Sequence, residues 1–421
     1  MNKATTTDKN RMDDYDPNSL TVDEALRRID TAVQPVAGFE KVAIRSALGR
    51  VLVEDIRSNI NVPPHTNSAM DGYAVNSADF PESGTRELTV IGTAWAGQPF
   101  AGSVTRGQCV RIMTGAMLPD GTDSVVIQER VERDGDVIRF GTGNKPGQNV
   151  RQPGEDLAVG QVVLEAGKKL IPADIGLLAS LGVAEVKVRR RLRVAFFSTG
   201  DELRSIGEPL EAGQIYDSNR YTLYGMLTRL GVDLIDMGVV RDRREDVQQA
   251  FTDAAAIADA IITSGGVSVG EADFVKETLE TVGEVNFWKI AMKPGRPLAF
   301  GKVGNAMFFG LPGNPVSVMV TFYQFVQPAL QRMMGQTQAA PIRFRVPCLS
   351  RLKKMPGRVE FQRGILETDA QGHMVVRSTG EQGSGILSSM SRANCFIILP
   401  MECGNVESGT TVDVQPFEGL I

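Results

Sequence analysis

The spacing of hydrophobic positions changes along the chain, and each change predicts a different kind of structure. Residues 21–24 fit a capping box, and hydrophobic residues repeat behind it at helical spacing, so we expect a helix there. From about 60 to 150, glycines are frequent and short alternating hydrophobic runs appear, which predicts a small β domain. Residues 172–181 then predict a short helix that Gly182 ends.

Between residues 189 and 335, strand-like hydrophobic runs alternate with helix-like amphipathic runs. The predicted elements are, in order, strand 192–197, helix 220–230, strand 232–237, helix 244–258, strand 260–263, helix 273–282, strand 285–291, two short strands that end at 309, and helix 316–333. Strands that alternate with helices indicate a parallel, doubly wound α/β sheet.

After about residue 340 the helical pattern disappears, and only short strands are expected. They are predicted at 342–346, 374–376, 395–399 and 411–414, and together they indicate a compact C-terminal β-barrel. The predicted fold class is multidomain α/β plus β. Its parts are a flexible tail at 1–19, an N-terminal linker domain at 20–59 and 141–188, an inserted β-rich domain at 60–140, a doubly wound α/β domain at 189–335, and a C-terminal β-barrel domain at 340–421.

Composition excludes several classes of protein. The 421 residues carry 50 acidic and 45 basic side chains, a net charge of −5, which disfavours binding to nucleic acid or to a membrane surface. With two histidines in the chain, a histidine-built zinc site or a histidine-based triad is nearly excluded. The four cysteines have no CxxC spacing, which indicates reduced thiols in the cytoplasm.

Neither a targeting segment nor a membrane span is expected. Residues 1–19 are polar, unlike the apolar core of a signal peptide. Residues 303–331 have no charged side chain, but a glycine- and proline-rich run at 310–315 interrupts them. We interpret this stretch as a buried strand, a tight loop and a buried helix.

Three polar, glycine-containing loops follow predicted strands of the α/β sheet, where such sheets bind their ligands. Converging backbone N–H groups and helix N-termini at such turns bind anions, so we expect a phosphate-type ligand. Neither a GxGxxG nor a P-loop pattern is present. The predicted ligand-binding residues are Ser198, Thr199, Gly200, Ser264, Gly265, Gly266, Ser268, Pro312, Gly313, Asn314 and Pro315.

Charged residues near these loops predict two further kinds of contact. Lys289, Lys293 and Arg296 lie in a segment with two prolines, which suits the recognition of a compact anion. Carboxylates beside glycine turns offer oxygen ligands for Mg²⁺, although each one taken singly is also typical of a turn cap. They are Asp71, Asp156, Glu202, Asp242 and Asp273.

Seven motifs, in order from about residue 20 onwards, resemble those of the molybdopterin molybdotransferase (MoeA) family, which is related to the E domain of gephyrin. They are SAMDGYAV, RIMTGA, GED, FSTGDEL, SGGVSVGEADF, WKIAMKPGRP and GLPGNPVS. The resemblance implies insertion of molybdenum from molybdate into adenylylated molybdopterin, with Mg²⁺ and release of AMP, and it makes the α/β domain the molybdopterin-binding domain. It also implies a cytoplasmic homodimer whose partners are a pterin-adenylylating enzyme and acceptor molybdoenzymes or their chaperones.

The resemblance also assigns roles to residues. The catalytic residues that it implies are Asp71, Thr114, Asp156, Glu202, Asp242, Asp273, Lys289 and Lys293, with Glu202, Asp242 and Asp273 as metal ligands. The molybdate contacts that it implies are Lys293, Arg296, Pro297, Arg363 and Ser389. The family usually has lysine where this chain has Arg296, and arginine presents a planar fork rather than a compact ammonium group.

Three alternatives stay open. Lys293 and Arg296 can instead pair with nearby carboxylates such as Glu271 or Asp273. A binding or scaffold protein of the same fold would keep the loops with catalysis secondary, as in gephyrin, but the full set of acidic positions argues against it. A nucleotide phosphotransferase would also use phosphate-binding loops, but neither a P-loop nor a kinase signature is present.

Overall fold

The computed structural model describes residues 18–265, 274–337 and 340–417. Within these residues the α-helices are α1 (Val22–Ala32), α2 (Pro172–Ser180), α3 (Ser218–Leu230), α4 (Arg244–Ile257), α5 (Phe274–Val282), α6 (Pro315–Thr321), α7 (Gln327–Met333) and α8 (Leu387–Arg392). A π-helical segment, Phe322–Val326, joins α6 to α7.

The strands of the N-terminal half are β1 (Phe39–Ala43), β2 (Ile56–Arg57), β3 (Asn67–Ser68), β4 (Gly72–Val75), β5 (Thr85–Ala94), β6 (Gln108–Ile112), β7 (Ser124–Ile127), β8 (Val131–Asp134), β9 (Val137–Gly141), β10 (Val150–Arg151), β11 (Val162–Leu164) and β12 (Glu185–Arg189). Those that follow are β13 (Arg193–Thr199), β14 (Leu203–Arg204), β15 (Ile215–Tyr216), β16 (Asp233–Val240), β17 (Ala260–Ser264), β18 (Gly283–Lys289), β19 (Met292–Lys293), β20 (Pro297–Val303), β21 (Ala306–Leu311), β22 (Phe344–Pro347), β23 (Val359–Thr368), β24 (Met374–Ser378), β25 (Cys395–Leu399) and β26 (Thr411–Pro416).

The chain divides into two compact units. The first unit holds the chain up to Lys41, residues 49–53, and the chain from Lys187 onwards. The second unit holds residues 42–48 and 54–186.

A six-stranded sheet in the order β7-β4-β6-β5-β9-β8 is the centre of the second unit. All four residues of β4 are buried, because Tyr73 and Val75 pack into one hydrophobic cluster and Ala74 into another. The buried carboxylate of Asp79 lies beside this sheet and accepts hydrogen bonds from Arg86 Nη2 (2.7 Å) and Arg106 Nε (3.0 Å). Two charge-assisted bonds offset the cost of burying this charge.

The α/β sheet of the first unit has the order β16-β13-β17-β21-β20-β18. Strands β13, β16, β17 and β21 are parallel, but β20 pairs antiparallel with both β21 and β18. The expectation of a wholly parallel sheet is therefore wrong at β20, which runs in the direction opposite to the other five strands. The cause is the two-residue turn after Val303 and the short connection 290–296, because a parallel pair needs a much longer crossover.

Helices cover both faces of this sheet, as expected for a doubly wound fold. Along β13, Val194 and Phe196 pack into the hydrophobic cluster that includes α3 and α6. Ala195 and Phe197, on the opposite face, pack into the cluster that includes α4 and α5. The alternation follows from the two-residue period of a strand.

The first helix and the helix predicted at 316–333 differ in detail from expectation. At α1, the Thr21 hydroxyl accepts the Glu24 N–H (3.1 Å), but the Glu24 carboxylate accepts from Arg27 and Arg28, so the reciprocal half of a capping box is absent.

The helix predicted at 316–333 is not regular throughout, because it contains the π-helical segment just before Pro328. Proline has no N–H to donate, which interrupts the regular helical hydrogen bonds there.

The C-terminal strands form a small barrel. Strands β22, β26, β25, β23 and β24 are neighbours in that order, all antiparallel. A bridge between Cys348 and Val376 joins the end of β22 to β24 and closes the ring. Strand β19, from the basic loop, adds to β23 in parallel.

The prediction that no helix follows residue 340 is wrong, because α8 lies in this part of the chain. Its six residues are too few to show a hydrophobic repeat in the sequence, and tertiary contacts hold it: Met390 is 3% exposed and Ser389 is fully buried.

All four cysteines are free thiols, as expected. Among the described residues, no helix has the length and apolar character that a membrane crossing requires.

We expect Phe308→Ala to destabilise the first unit strongly. Phe308 is fully buried and its ring lies 5.4 Å from that of Phe251, so truncation should lower the free energy of unfolding by about 3–5 kcal/mol. Ile257→Ala, at a position 44% exposed on the same face, is the control and should change it by less than about 0.5 kcal/mol. Urea denaturation measures both, and equal losses would contradict this assignment of the core.

Candidate active site

Three predicted loops meet at the carboxyl edge of the α/β sheet. Ser198 of β13 pairs with Ser264 of β17, and Ser264 pairs with Leu311 of β21, so these strands end level with one another. The Gly265 N–H also donates to the Leu311 carbonyl oxygen (3.2 Å). The structure therefore brings together the residues predicted on each loop that it describes. Gly266, Ser268, Glu271 and Asp273 lie outside the described residues.

Two glycines permit close approaches at this edge. Gly265 has a φ of +94°, and a Cβ there would lie 2.7 Å from the Thr199 carbonyl oxygen. Gly200 has a φ of +149°, and a Cβ there would lie 2.5 Å from Glu202 Oε2. Any other residue at either position would be strained and would push the neighbouring group away.

The first turn of α3 also belongs to this edge, and our sequence interpretation missed it. Asn219 Nδ2 donates to Ser264 Oγ (2.8 Å) and to the Gly313 carbonyl oxygen (2.7 Å). Asp217 is the N-cap, and its Oδ1 accepts the Arg220 N–H (3.1 Å). An Asp-Ser-Asn run directly before a predicted helix is an N-cap signal that could have located this turn.

Several buried polar atoms at this edge have no hydrogen-bond partner in the described part of the chain. They are Ser198 Oγ, Asp217 Oδ2, Asn219 Oδ1 and Thr263 Oγ1. Buried polar atoms of folded proteins are nearly always paired. This concentration therefore fits an edge that binds a polar ligand.

Acidic residues cluster beside the first loop. The Asp242 N–H donates to Asp201 Oδ1 (3.3 Å), and burial, followed by the negative charges of Asp201 and Glu202, raises the pKa of Asp242. Over the described ranges, no three acidic, cysteine or histidine side chains lie close enough to hold a metal ion by themselves. Two carboxylates together with ligand oxygens are the usual coordination of Mg²⁺, so the cluster fits this ion when phosphate completes the shell.

Three of the predicted molybdate residues, Lys293, Arg363 and Ser389, fall into two groups. In the first, Lys293 is half exposed and its Nζ lies 3.7 Å from Oε1 of the buried Glu360. Nearby, the buried Lys354 donates to the carbonyl oxygens of Met355 (2.8 Å) and Arg358 (2.7 Å), and burial lowers its pKa. Lys293 thus faces Glu360, a carboxylate that sequence reasoning did not single out.

The second group lies on the other face of β23, because Glu360 and Arg363 are three residues apart on one strand. Arg363 is 1% exposed, and its Nε donates to Ser389 Oγ (3.0 Å). Burial lowers the pKa of Arg363 to about 10. The Ser389 hydroxyl also donates to the Ile386 carbonyl oxygen (2.6 Å), so its proton has a protein acceptor.

The remaining residues of the basic loop lie between β18 and β20. Lys289 is exposed at the end of β18 and pairs in register with Pro297, the first residue of β20. The Arg296 carbonyl oxygen accepts the Ile290 N–H (2.7 Å), and its side chain is partly buried. These contacts fold the segment into a compact turn.

The second unit holds the other predicted catalytic residues. Asp71 Oδ1 accepts from both the N–H and the hydroxyl of Thr114 (2.8 Å each). The backbone bond first, then the hydroxyl bond, lower the pKa of Asp71. Asp156 is exposed on a turn, and its N–H donates to the Val62 carbonyl oxygen (3.0 Å).

A cavity of about 590 Å³ lies elsewhere in the first unit. It is lined by α1, the π-helical segment and the C-terminal barrel, and it contains none of the predicted site residues. Its size alone therefore does not make it the active site, because the convergent polar groups are at the edge of the sheet.

We expect Thr114→Val to raise the pKa of Asp71 towards its ordinary value. The substitution removes the hydroxyl donor but keeps the N–H, so the pKa should stay below that value. A carboxyl whose pKa is lowered by folding stabilises the folded state fully above its unfolded-state pKa, and this contribution is lost as the pH falls through the folded-state pKa. The wild type should therefore lose more stability than the variant as the pH falls between these two values.

Carbon NMR of the Asp71 carboxyl measures the shift. Asp369, whose pKa is lowered mainly by the N–H of His373, is the internal control and should titrate identically in both proteins. An unchanged Asp71 titration would show that the hydroxyl contact is not formed in solution.

Comparison with known proteins gives matches along almost the whole chain. Residues 20–182 match the MoeA N-terminal region (domain I and II), 195–332 match the probable molybdopterin binding domain, and 345–417 match the MoeA C-terminal region (domain IV). The molybdopterin molybdenumtransferase of Haemophilus influenzae is 50% identical over 404 residues, which cover 96% of this chain and all of that protein. Gephyrin of Dictyostelium discoideum is 36% identical over 94% of this chain, which spans 62% of that longer protein.

The fold has the same relatives. The crystal structure of the molybdopterin biosynthesis moeA protein from Pyrococcus horikoshii OT3 superposes with a TM-score of 0.83 at 30% identity, over 95% of this chain and all of that one. Sequence and fold agree over the same residues, so the chain belongs to the molybdopterin molybdenumtransferase family of molybdenum cofactor biosynthesis and is a transferase.

Proposed function

We propose that this transferase inserts molybdenum from molybdate into adenylylated molybdopterin, with Mg²⁺-dependent release of AMP. The observation that carries the proposal is the carboxyl edge of the α/β sheet, where level strand ends, glycine turns and unpartnered buried polar atoms converge. The family of the chain supports the pterin as substrate.

The loops after β13, β17 and β21 would bind the phosphate groups of the substrate. Backbone N–H groups at glycine turns present donors without the cost of ordering a long side chain. Ser198, Ser264 and the start of α6 after Asn314 lie at this edge. The N-terminal end of a helix adds a favourable dipole for an anion.

Glu202 and Asp242 would hold Mg²⁺ together with phosphate oxygens, and Asp273 stays a predicted third ligand. When bound, Mg²⁺ neutralises negative charge that develops as the phosphoanhydride is cleaved. Burial first, then repulsion by Asp201 and Glu202, raises the pKa of Asp242, and a bound cation would relieve the repulsion.

Lys293 would attract molybdate, a tetrahedral dianion, towards the basic loop. Its ammonium group is half exposed and 3.7 Å from Glu360, so it remains accessible while its position is restrained. Arg363 lies on the opposite face of β23 and is held by Ser389 and Gly383, so the direct contact proposed at the basic loop is that of Lys293. Charge-assisted hydrogen bonds of this kind are the strong ones in proteins.

The chain would act mainly by positioning and electrostatics. The dithiolene sulfurs of the pterin capture molybdenum, so the proposal needs no nucleophile from the protein. Held at fixed distances, the two substrates react without a further loss of translational freedom. The preoriented donors stabilise charge as it develops.

Lys293→Ala should raise the molybdate concentration needed for insertion while leaving pterin binding nearly unchanged. Loss of one charge-assisted hydrogen bond costs about 1.5–3 kcal/mol, or roughly 10- to 150-fold in affinity. The assay follows AMP release and activation of a cofactor-free molybdoenzyme at several molybdate concentrations. Lys353→Ala, which removes an exposed lysine from the segment between β22 and β23, is the control. Weak pterin binding with an unchanged molybdate dependence would show that this loop serves the phosphate instead.

Asp242→Asn should weaken the effect of Mg²⁺ on AMP release. Because the pKa of Asp242 is raised, protons compete with the ion, so the Mg²⁺ requirement of the wild type should increase as the pH falls through that pKa. Without Mg²⁺, the raised pKa makes the wild-type fold relatively more stable as the pH falls, and Asp242→Asn should remove this trend.

Magnesium titrations of AMP release and thermal melts across the pH range measure these effects. Asp253→Asn, an exposed carboxylate on α4, is the control. If the two variants respond to Mg²⁺ alike, Asp242 does not contact the ion.

The homodimer, the pterin-adenylylating and acceptor partners, and the cytoplasmic location stay predictions from the family resemblance.

A further inference from the structure

Asn219 links two loops of the candidate site with one amide group. Its Nδ2 carries two protons, and each has an acceptor: Ser264 Oγ at 2.8 Å and the Gly313 carbonyl oxygen at 2.7 Å. Ser264 ends β17 and Gly313 follows β21, so the bonds span two adjacent strands of the sheet. A carboxylate or a hydroxyl at this position could not make both bonds, because neither has two protons to donate.

The bond from Asn219 also sets the direction of the Ser264 proton. A hydroxyl oxygen that accepts an amide N–H keeps its own proton for another acceptor. Ser264 is 2% exposed, and among the described residues Asn219 is its one side-chain partner. Its proton therefore remains available at an edge where the buried Ser198 Oγ and Asn219 Oδ1 also have no partner.

The helix that carries Asn219 is held firmly at its start. Asp217 is 2% exposed and caps α3 through the Arg220 N–H, while Arg220 Nε donates to Asp236 Oδ1 of β16 (2.7 Å). An N-cap bond typically contributes about 1 kcal/mol to stability. The amide of Asn219 is thus presented from a fixed turn rather than from a loop.

We propose that Asn219 is a positioning residue, which orients the Ser264 hydroxyl and holds the Gly313 loop so that both present donors to a phosphate group of the ligand. The inference rests on the proposed function for the identity of the full substrate, but it requires only that the edge of the sheet bind phosphate. Asn219 would therefore act through Ser264, and the two residues should be coupled.

Binding of inorganic pyrophosphate and of AMP, measured by calorimetry on the full chain, tests the coupling. Asn219→Ala and Ser264→Ala should each weaken binding by roughly tenfold, the effect of one hydrogen bond to a charged group. The double variant should bind about as weakly as Asn219→Ala alone, because loss of Asn219 already disables the Ser264 donor. Thermal melts confirm that all variants are folded.

Asn394→Ala is the matched control. The Asn394 amide also links two segments, through the N–H and the carbonyl oxygen of Leu366 (2.7 and 2.8 Å), but in the barrel. This variant should bind both probes as the wild type does.

The outcomes separate this proposal from the proposed function. Losses that multiply in the double variant, an Asn219→Ala protein with unchanged affinity, or a wild type that binds neither probe would each overturn the positioning role. Coupled losses in a protein that fails to insert molybdenum would support the positioning role and contradict the proposed function.

Discussion

The candidate site depends on one close approach of two backbone segments, Gly265 to Thr199. A Cβ at Gly265 would lie 2.7 Å from the Thr199 carbonyl oxygen, so only glycine lets β17 leave the sheet at this point. Because the approach is so close, the ends of β13 and β17 stay level and their polar residues face the same crevice. A larger residue would separate the two loops, and the donors that an anion requires would no longer converge.

The edge of the α/β sheet and the C-terminal barrel carry opposite kinds of charge. Asp201, Glu202 and Asp242 repel one another at the sheet edge, whereas Lys354 and Arg363 are buried cations of the barrel whose pKa values burial lowers. Carbonyl oxygens around Lys354 and Arg363 offset part of the desolvation cost. The sheet edge therefore concentrates negative charge, whereas the barrel buries positive charge.

The α/β sheet could be predicted from sequence because its central strands are hydrophobic on both faces and the intervening segments have helical periodicity. The reversed direction of β20 could not be predicted in the same way, since a hydrophobic run is compatible with either strand direction. The tight turn after Val303 was the available signal. The short helix α8 was missed because tertiary contacts of Ser389 and Met390, rather than a repeat, hold it in place.

At the site, too, local sequence patterns predicted some features, whereas tertiary contacts determine the others. Loops such as 198–202 could be located because glycine and hydroxyl residues follow a hydrophobic strand. The contacts of Asn219 could not, because they join three segments that are distant in sequence, and neither could the approach of Glu360 to Lys293. Local patterns therefore predicted the loops that meet at the sheet edge, and long-range contacts determine which side chains hold those loops together.

The two-residue strand β19 gives the basic loop a dependence on a distant part of the chain. Met292 and Lys293 pair with Val359 and Glu360 of the barrel, while the residues just before them continue from β18 of the α/β sheet. The basic loop is therefore held by two sheets, the α/β sheet through β18 and the barrel through β19. If β19 shifted by one residue along β23, Lys293 would move by about 3.3 Å. It would then pair with a residue whose side chain points to the face of β23 opposite to that of Glu360. The position of the positive charge on this loop thus depends on the correct register of β19 against β23. A chain without the barrel would still contain Lys293, but nothing would fix the position of its side chain.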